Sequence, residues 1–132
     1  MIFYLHASFL LLMCVFVTWA VIIAKKRGEG WFPKHRLFAI SGVVCGLLGI
    51  GFMFYNKAVH GWPHLKTLHA IGGGIAALLL LCTPLLGYFS TKGKDALRPW
   101  HRIFGRITAT LALLVLLTGI VKLLEHLGWM QD

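Results

Sequence analysis

Four histidines stand at matched places in two repeated phrases of this chain. Leu5-His6-Ala7 returns 63 residues later as Leu68-His69-Ala70, and Pro33-Lys34-His35-Arg36-Leu37-Phe38 returns 66 residues later as Pro99-Trp100-His101-Arg102-Ile103-Phe104. Imidazole ligates transition metals, carries protons and makes hydrogen bonds. Its setting here narrows that choice. Each histidine lies near the start of a long apolar run, and ionisable side chains inside a membrane are costly unless they serve a site. Two phrases kept in order across both halves mark a diverged internal duplication. A single histidine at a membrane interface is ordinarily hydrated filler, but filler has no reason to persist in four matched positions. The pattern predicts bound metal.

The elements that must position these histidines follow from the composition. The chain has 132 residues, 58% of them hydrophobic and 13% charged, with a mean hydropathy of +0.79. A soluble domain of this size needs more polar surface. The apolar residues fall into four runs of about 20 residues, each long enough as a helix to cross the ~30 Å hydrocarbon layer. Short connections predict helices over about 2–24, 34–56, 64–90 and 100–127 within a single domain spanning 1–132. The fold class expected is all-α: an integral membrane, antiparallel four-helix bundle built from a duplicated helical hairpin.

A net charge of +9 would suggest nucleic acid as partner for a soluble protein, but the distribution argues for lipid. Ten of the 13 basic residues sit in or beside two connections: Lys25, Lys26, Arg27, Lys34 and Arg36, then Lys92, Lys94, Arg98, Arg102 and Arg106. Basic loops stay on the cytoplasmic side, which predicts a multi-pass protein of the inner (plasma) membrane with loops 25–36 and 91–102 cytoplasmic and both termini outside. The basic cluster follows the first apolar run rather than preceding it, so that run reads as a retained helix and not a cleaved signal. Cys14, Cys45 and Cys82 fall inside spans without C-x-x-C spacing or a C-x-x-C-H haem attachment phrase, and read as buried small hydrophobes.

Alternating helix direction sorts the histidines by depth. His6 and His69 share the outer level, and His35 and His101 share the cytoplasmic one. Two histidines at one level on two helices form the minimum set for axial ligation of haem iron, and the chain has that set twice. In the repeated Pro-x-His-Arg, proline suits the first helical position and puts the histidine near the third. Free amides at a helix start, with Arg36 and Arg102 beside the ligands, can bind carboxylates, which haem carries as two propionates. Gly72, Gly73, Gly74 and Gly105 lie close to ligands in sequence, while Gly42 and Gly46 form a G-x-x-x-G. Pro84 marks an expected kink in the third helix. His60, His64 and His126 are not duplicated and read as hydrated surface residues, with His64 the one substitute ligand. Trp31, Trp62, Trp100 and Trp129 suit an interfacial belt, and Lys122 and Glu125 suit an ion pair.

Leu5-His6-Ala7, Pro33-Lys34-His35-Arg36, Leu68-His69-Ala70 and Trp100-His101-Arg102 with Gly105 together resemble the four-helix, four-histidine core of the cytochrome b561 family. The resemblance covers nearly the whole chain. It implies two non-covalent haems b, one per membrane face, with His6 paired to His69 and His35 to His101, as the topology indicates independently. The larger eukaryotic members carry two further flanking helices, and no ascorbate-binding signature is legible here.

Three functions fit these features. The first is transmembrane electron transfer through two bis-histidine haems, with the bilayer around it and quinol or a soluble redox protein as partner. The second is a haem- or quinone-binding membrane-anchor subunit of a larger oxidoreductase, with partner subunits or a homodimer. The third is a haem-free structural bundle. Quinol or metal reductase activity fits the first two.

Overall fold

The computed structural model describes residues 2–128, except for the side chain of His126; Trp129, expected in the interfacial belt, lies outside the described residues. Four long helices make up the chain: α1 (Ile2–Lys26), α2 (Trp31–Val59), α3 (Leu68–Thr91) and α4 (Arg98–His126), with one 3₁₀ turn at Asp95–Leu97. Each is long and apolar enough to cross a membrane. The protein is an all-α membrane bundle.

Local chemistry explains where the helices stop and start. Lys25 and Lys26 occupy the last turn of α1, where cations oppose the negative end of the helix dipole. The chain then reverses through Arg27 and Gly30, both at positive φ, with Gly30 as the N-cap of α2. Thr67 caps α3, its side chain accepting from the Ala70 amide at 3.2 Å. Beyond α3, Gly93 turns the chain at φ 87°, and an exposed Arg98–Asp95 ion pair of 2.8 Å braces the entry to α4.

Proline placement differs from expectation by a residue or two. Because α2 begins at Trp31, Pro33 is its third residue and His35 its fifth; Pro99 is the second residue of α4 and His101 the fourth. Both prolines still fall among the first amides, which have no partner within the helix, so nothing is lost. α3 continues through Pro84 without interruption.

Packing joins the helices into two hairpins. α1 lies close along α2, α3 lies along α4, and looser contacts run between α1 and α4 and between α2 and α3. Among the described residues the diagonal pairs, α1 with α3 and α2 with α4, have no close backbone approach. Gly42, Gly46 and Gly49 bring α2 against α1: a Cβ on Gly42 would lie 2.8 Å from Val17 Cγ2, and one on Gly49 2.7 Å from Leu10 Cδ2. In lipid such close van der Waals contact replaces the missing hydrophobic drive between helices. The middle of the bundle is filled by Met13, Cys14, Val17, Leu80, Ala109 and Ala112. A Thr83–Thr108 hydroxyl bond of 3.0 Å and a Cys14 thiol donating to the Ala112 carbonyl at 3.6 Å add polar ties there. Large side chains such as Leu78, Leu117 and Val44 point outward, as a lipid-solvated surface requires.

Candidate functional site

The bundle brings the four duplicated histidines together as two pairs. His6 of α1 faces His69 of α3, with ring centroids 6.5 Å apart and planes at 85°. His35 of α2 faces His101 of α4, with centroids 6.0 Å apart and planes again at 85°. Both pairs span diagonals of the bundle, where the backbones stand apart and leave room. All four rings are half-buried.

Every ring is held by its Nδ1. His6 donates to the Gly49 carbonyl at 2.8 Å, His35 to the Ala20 carbonyl at 2.9 Å, and His101 to the Thr83 carbonyl at 2.9 Å. His69 donates to Thr118 Oγ1 at 3.0 Å, and the Thr118 hydroxyl in turn donates to the Val115 carbonyl at 2.8 Å. A carbonyl only accepts, so Nδ1 carries the proton and Nε2 keeps its lone pair for a ligand. Such bonds orient a metal-binding imidazole and raise its basicity.

The acceptors obey one rule. Gly49, Ala20 and Thr83 each lie 14 residues after the histidine of their own helix, and each accepts from the histidine of the neighbouring helix in its hairpin; on α4 the residue at that register, Val115, accepts from the Thr118 hydroxyl that holds His69. Antiparallel pairing produces this reciprocity: the level of a helix's own histidine and the level of its acceptor carbonyl are the two levels of the pairs. Fourteen residues at ~1.5 Å each separate those levels by roughly 21 Å. The packed layer of Met13, Cys14, Leu80, Ala109 and Ala112 lies between them.

The donor set discriminates among metals. Among the described residues no group of three or more His, Cys, Asp or Glu side chains could hold an ion. Zinc and copper sites draw three or four ligands from the protein. A pair of opposed imidazoles with nothing around it suits an iron whose other four positions come from a macrocycle. Metal–imidazole bonds of ~2 Å on both sides, plus ~1 Å from each nitrogen to its ring centre, add up to about 6 Å, matching the separations seen. The residues fit haem.

The remaining candidates take ordinary places. His60 donates from Nδ1 to the Asn56 carbonyl at 2.7 Å and stacks on Trp62. His64 stacks on Phe54 at 4.7 Å, with its Nδ1 buried and unpartnered among the described residues. Its segment is tied down by Lys57 Nζ, which donates to the Pro63 and His64 carbonyls. The side chain of His126 is outside the described residues. Arg36 and Arg102 are exposed beside His35 and His101. Lys122 and Glu125 form an exposed ion pair of 2.6 Å. All three cysteines are free, but only Cys14 is buried; Cys45 is half-buried and Cys82 exposed, because an apolar run looks alike on its lipid-facing and core-facing sides. Sequence reading missed two glycines, Gly87 and Gly119, which lie against His101 and His69. Gly72 and Gly73 instead meet Val115, and Gly105 meets Thr83.

Four membrane-spanning helices enclosing opposed histidine pairs define a membrane cytochrome of the helical-bundle kind. The family described as eukaryotic cytochrome b561 matches residues 5–126, nearly the whole chain, and the chain belongs to that family. Membership makes it a haem b-binding protein of transmembrane electron transfer. Comparison with curated proteins and with solved structures finds no match.

Proposed function

We propose that the chain carries electrons between the two membrane faces through two haems b, one held by His6 and His69 and the other by His35 and His101. The carrying observation is the pair of opposed imidazole couples, each without a third His, Cys, Asp or Glu donor among the described residues. Haem held there would supply a one-electron redox couple, and two imidazole ligands would favour electron transfer over oxygen binding.

The chain's own residues do the rest. The Gly49, Ala20 and Thr83 carbonyls and the Thr118 hydroxyl keep Nδ1 protonated and leave Nε2 to ligate. The layer around Leu80 and Met13 excludes water between the two levels and fixes their separation. Arg36 and Arg102 hold propionates at the His35 end. That end faces the cytoplasm of a plasma-membrane protein, since the basic residues of both connections gather there, and the His6 end faces outside. The redox partner is a quinol or a soluble carrier.

Pyridine-haemochrome assay of the purified protein tests the reading: two haems b per chain are expected. One per chain would favour a membrane-anchor subunit with a quinone site, and none would favour a structural bundle.

A further inference from the structure

We propose that Gly87 and Gly119 are positioning residues that seat the His101 and His69 imidazoles, each glycine tuning one redox centre and leaving the other unchanged. This rests on the ligand assignment above.

A Cβ placed on Gly87 would lie 2.8 Å from His101 Cε1, 3.0 Å from Nδ1 and 3.4 Å from Nε2. Three atoms of one ring thus lie across a single glycine of α3. Contacts under 3.0 Å force something to move. The ring has little freedom to do so, because its Nδ1 is bound to the Thr83 carbonyl, one helical turn before Gly87 on the same face. Retreat from a methyl group at position 87 must lengthen that bond or change the 6.0 Å approach to His35. Either change reaches Nε2, the ligating atom.

The same device recurs on α4. Gly119 lies one turn after Val115, and a Cβ there would lie 3.0 Å from His69 Cε1, with Nδ1 at 3.6 Å and Nε2 at 3.8 Å. The fit is looser, so the effect of a methyl group is smaller. In the first hairpin the residues one turn after the acceptors Ala20 and Gly49 are Ala24 and Met53. Each pair therefore joins one glycine-seated ring of the second hairpin to one ring of the first that has no such seat. A Cβ on Gly42, Gly46 or Gly49 would instead come first against Val17 and Phe16, Leu80 and Met13, or Leu10 and Phe9, and not against an imidazole.

The test compares Gly87→Ala, Gly119→Ala and Gly42→Ala in the purified haem-loaded protein. Gly42 is the control: its Cβ would be as crowded as that of Gly87, but against Val17 Cγ2 at 2.8 Å. Potentiometric titration and low-temperature paramagnetic resonance read each centre separately, and transfer to a haem-scavenging apoprotein reads ligand strength. Gly87→Ala should shift the potential and resonance of the His35/His101 centre alone and speed loss of that haem about tenfold, the scale of a core overpacking. Gly119→Ala should do the same to the other centre, more weakly, and remains informative if Gly87→Ala fails to insert. Equal shifts at both centres, no shift at either, or a selective shift from Gly42→Ala would overturn the proposal. His101→Ala distinguishes the two levels of inference. If it leaves both haems in place, the ligand assignment fails; if it removes one haem while Gly87→Ala leaves that centre unmoved, only the seating fails.

Discussion

Replacing Arg36 or Arg102 by glutamine removes one positive charge beside the His35/His101 level and leaves the ligands untouched. Each arginine directly follows one of the paired histidines and is exposed. Ferric haem carries one more positive charge than ferrous haem, so losing a neighbouring cation favours the ferric form and lowers the potential. For a charge separation of roughly 10 Å and an effective dielectric of about 20 to 80, the interaction would be about 0.4–1.7 kcal/mol. At ~59 mV per tenfold change for one electron, that is a fall of about 20–70 mV. Water at the bundle end screens the charge, so the lower half of the range is expected, shrinking as salt is raised. The second pair lies another 14 residues away along the helices, roughly 21 Å, or between two and three Debye lengths of ~8 Å at physiological salt. Its potential should move by a few millivolts at most. A redox titration resolving two components checks this. Equal shifts of both components, or none in correctly inserted protein, would refute propionate binding by these arginines and leave them as topology determinants only.

Two further outcomes follow from packing and charge. Gly46→Ala sets a methyl group against Leu80 and Met13 at the bundle centre, and should cost about 1–3 kcal/mol in detergent unfolding while affecting both haems alike; selective loss of one haem would contradict the role given to that layer. Single cysteines placed at Gly28 or Gly93, in a background lacking Cys14, Cys45 and Cys82, should react with membrane-impermeant maleimide only from the cytoplasmic side; labelling from outside would invert the orientation while leaving the pairing intact.

Much of the architecture was legible because membranes impose a coarse code. Four apolar runs of spanning length allow little besides helices, and the duplication of His6 with His69 and of His35 with His101 singled out the residues that the bundle brings face to face. The acceptors of their Nδ1 protons were not legible. Gly49, Ala20 and Thr83 act through backbone carbonyls, which any residue supplies, Thr118 acts across a helix interface, and the 14-residue rule appears only once the register of each hairpin is known. Gly87 and Gly119 escaped for the same reason: they are far from His101 and His69 in sequence and meet them across a helix interface. The start of α2 was placed late because Trp31 and Phe32 precede Pro33, and proline in a first turn does not mark the first residue. Cys82 shows the limit of apolar patterning where the solvent itself is apolar, since outward and inward residues have the same composition.

Paired double variants decide whether two independent haem centres are each held by one diagonal histidine pair. Haem content per chain is measured for His6→Ala with His69→Ala, for His35→Ala with His101→Ala, and for the crossed combination His6→Ala with His35→Ala. Each same-level double variant should retain one haem, as each of its single variants does, because the pair acts as a unit and the other level is separated from it by a packed core. The crossed variant should retain none. A crossed variant that keeps a haem, or a same-level double variant that loses both, would contradict the account.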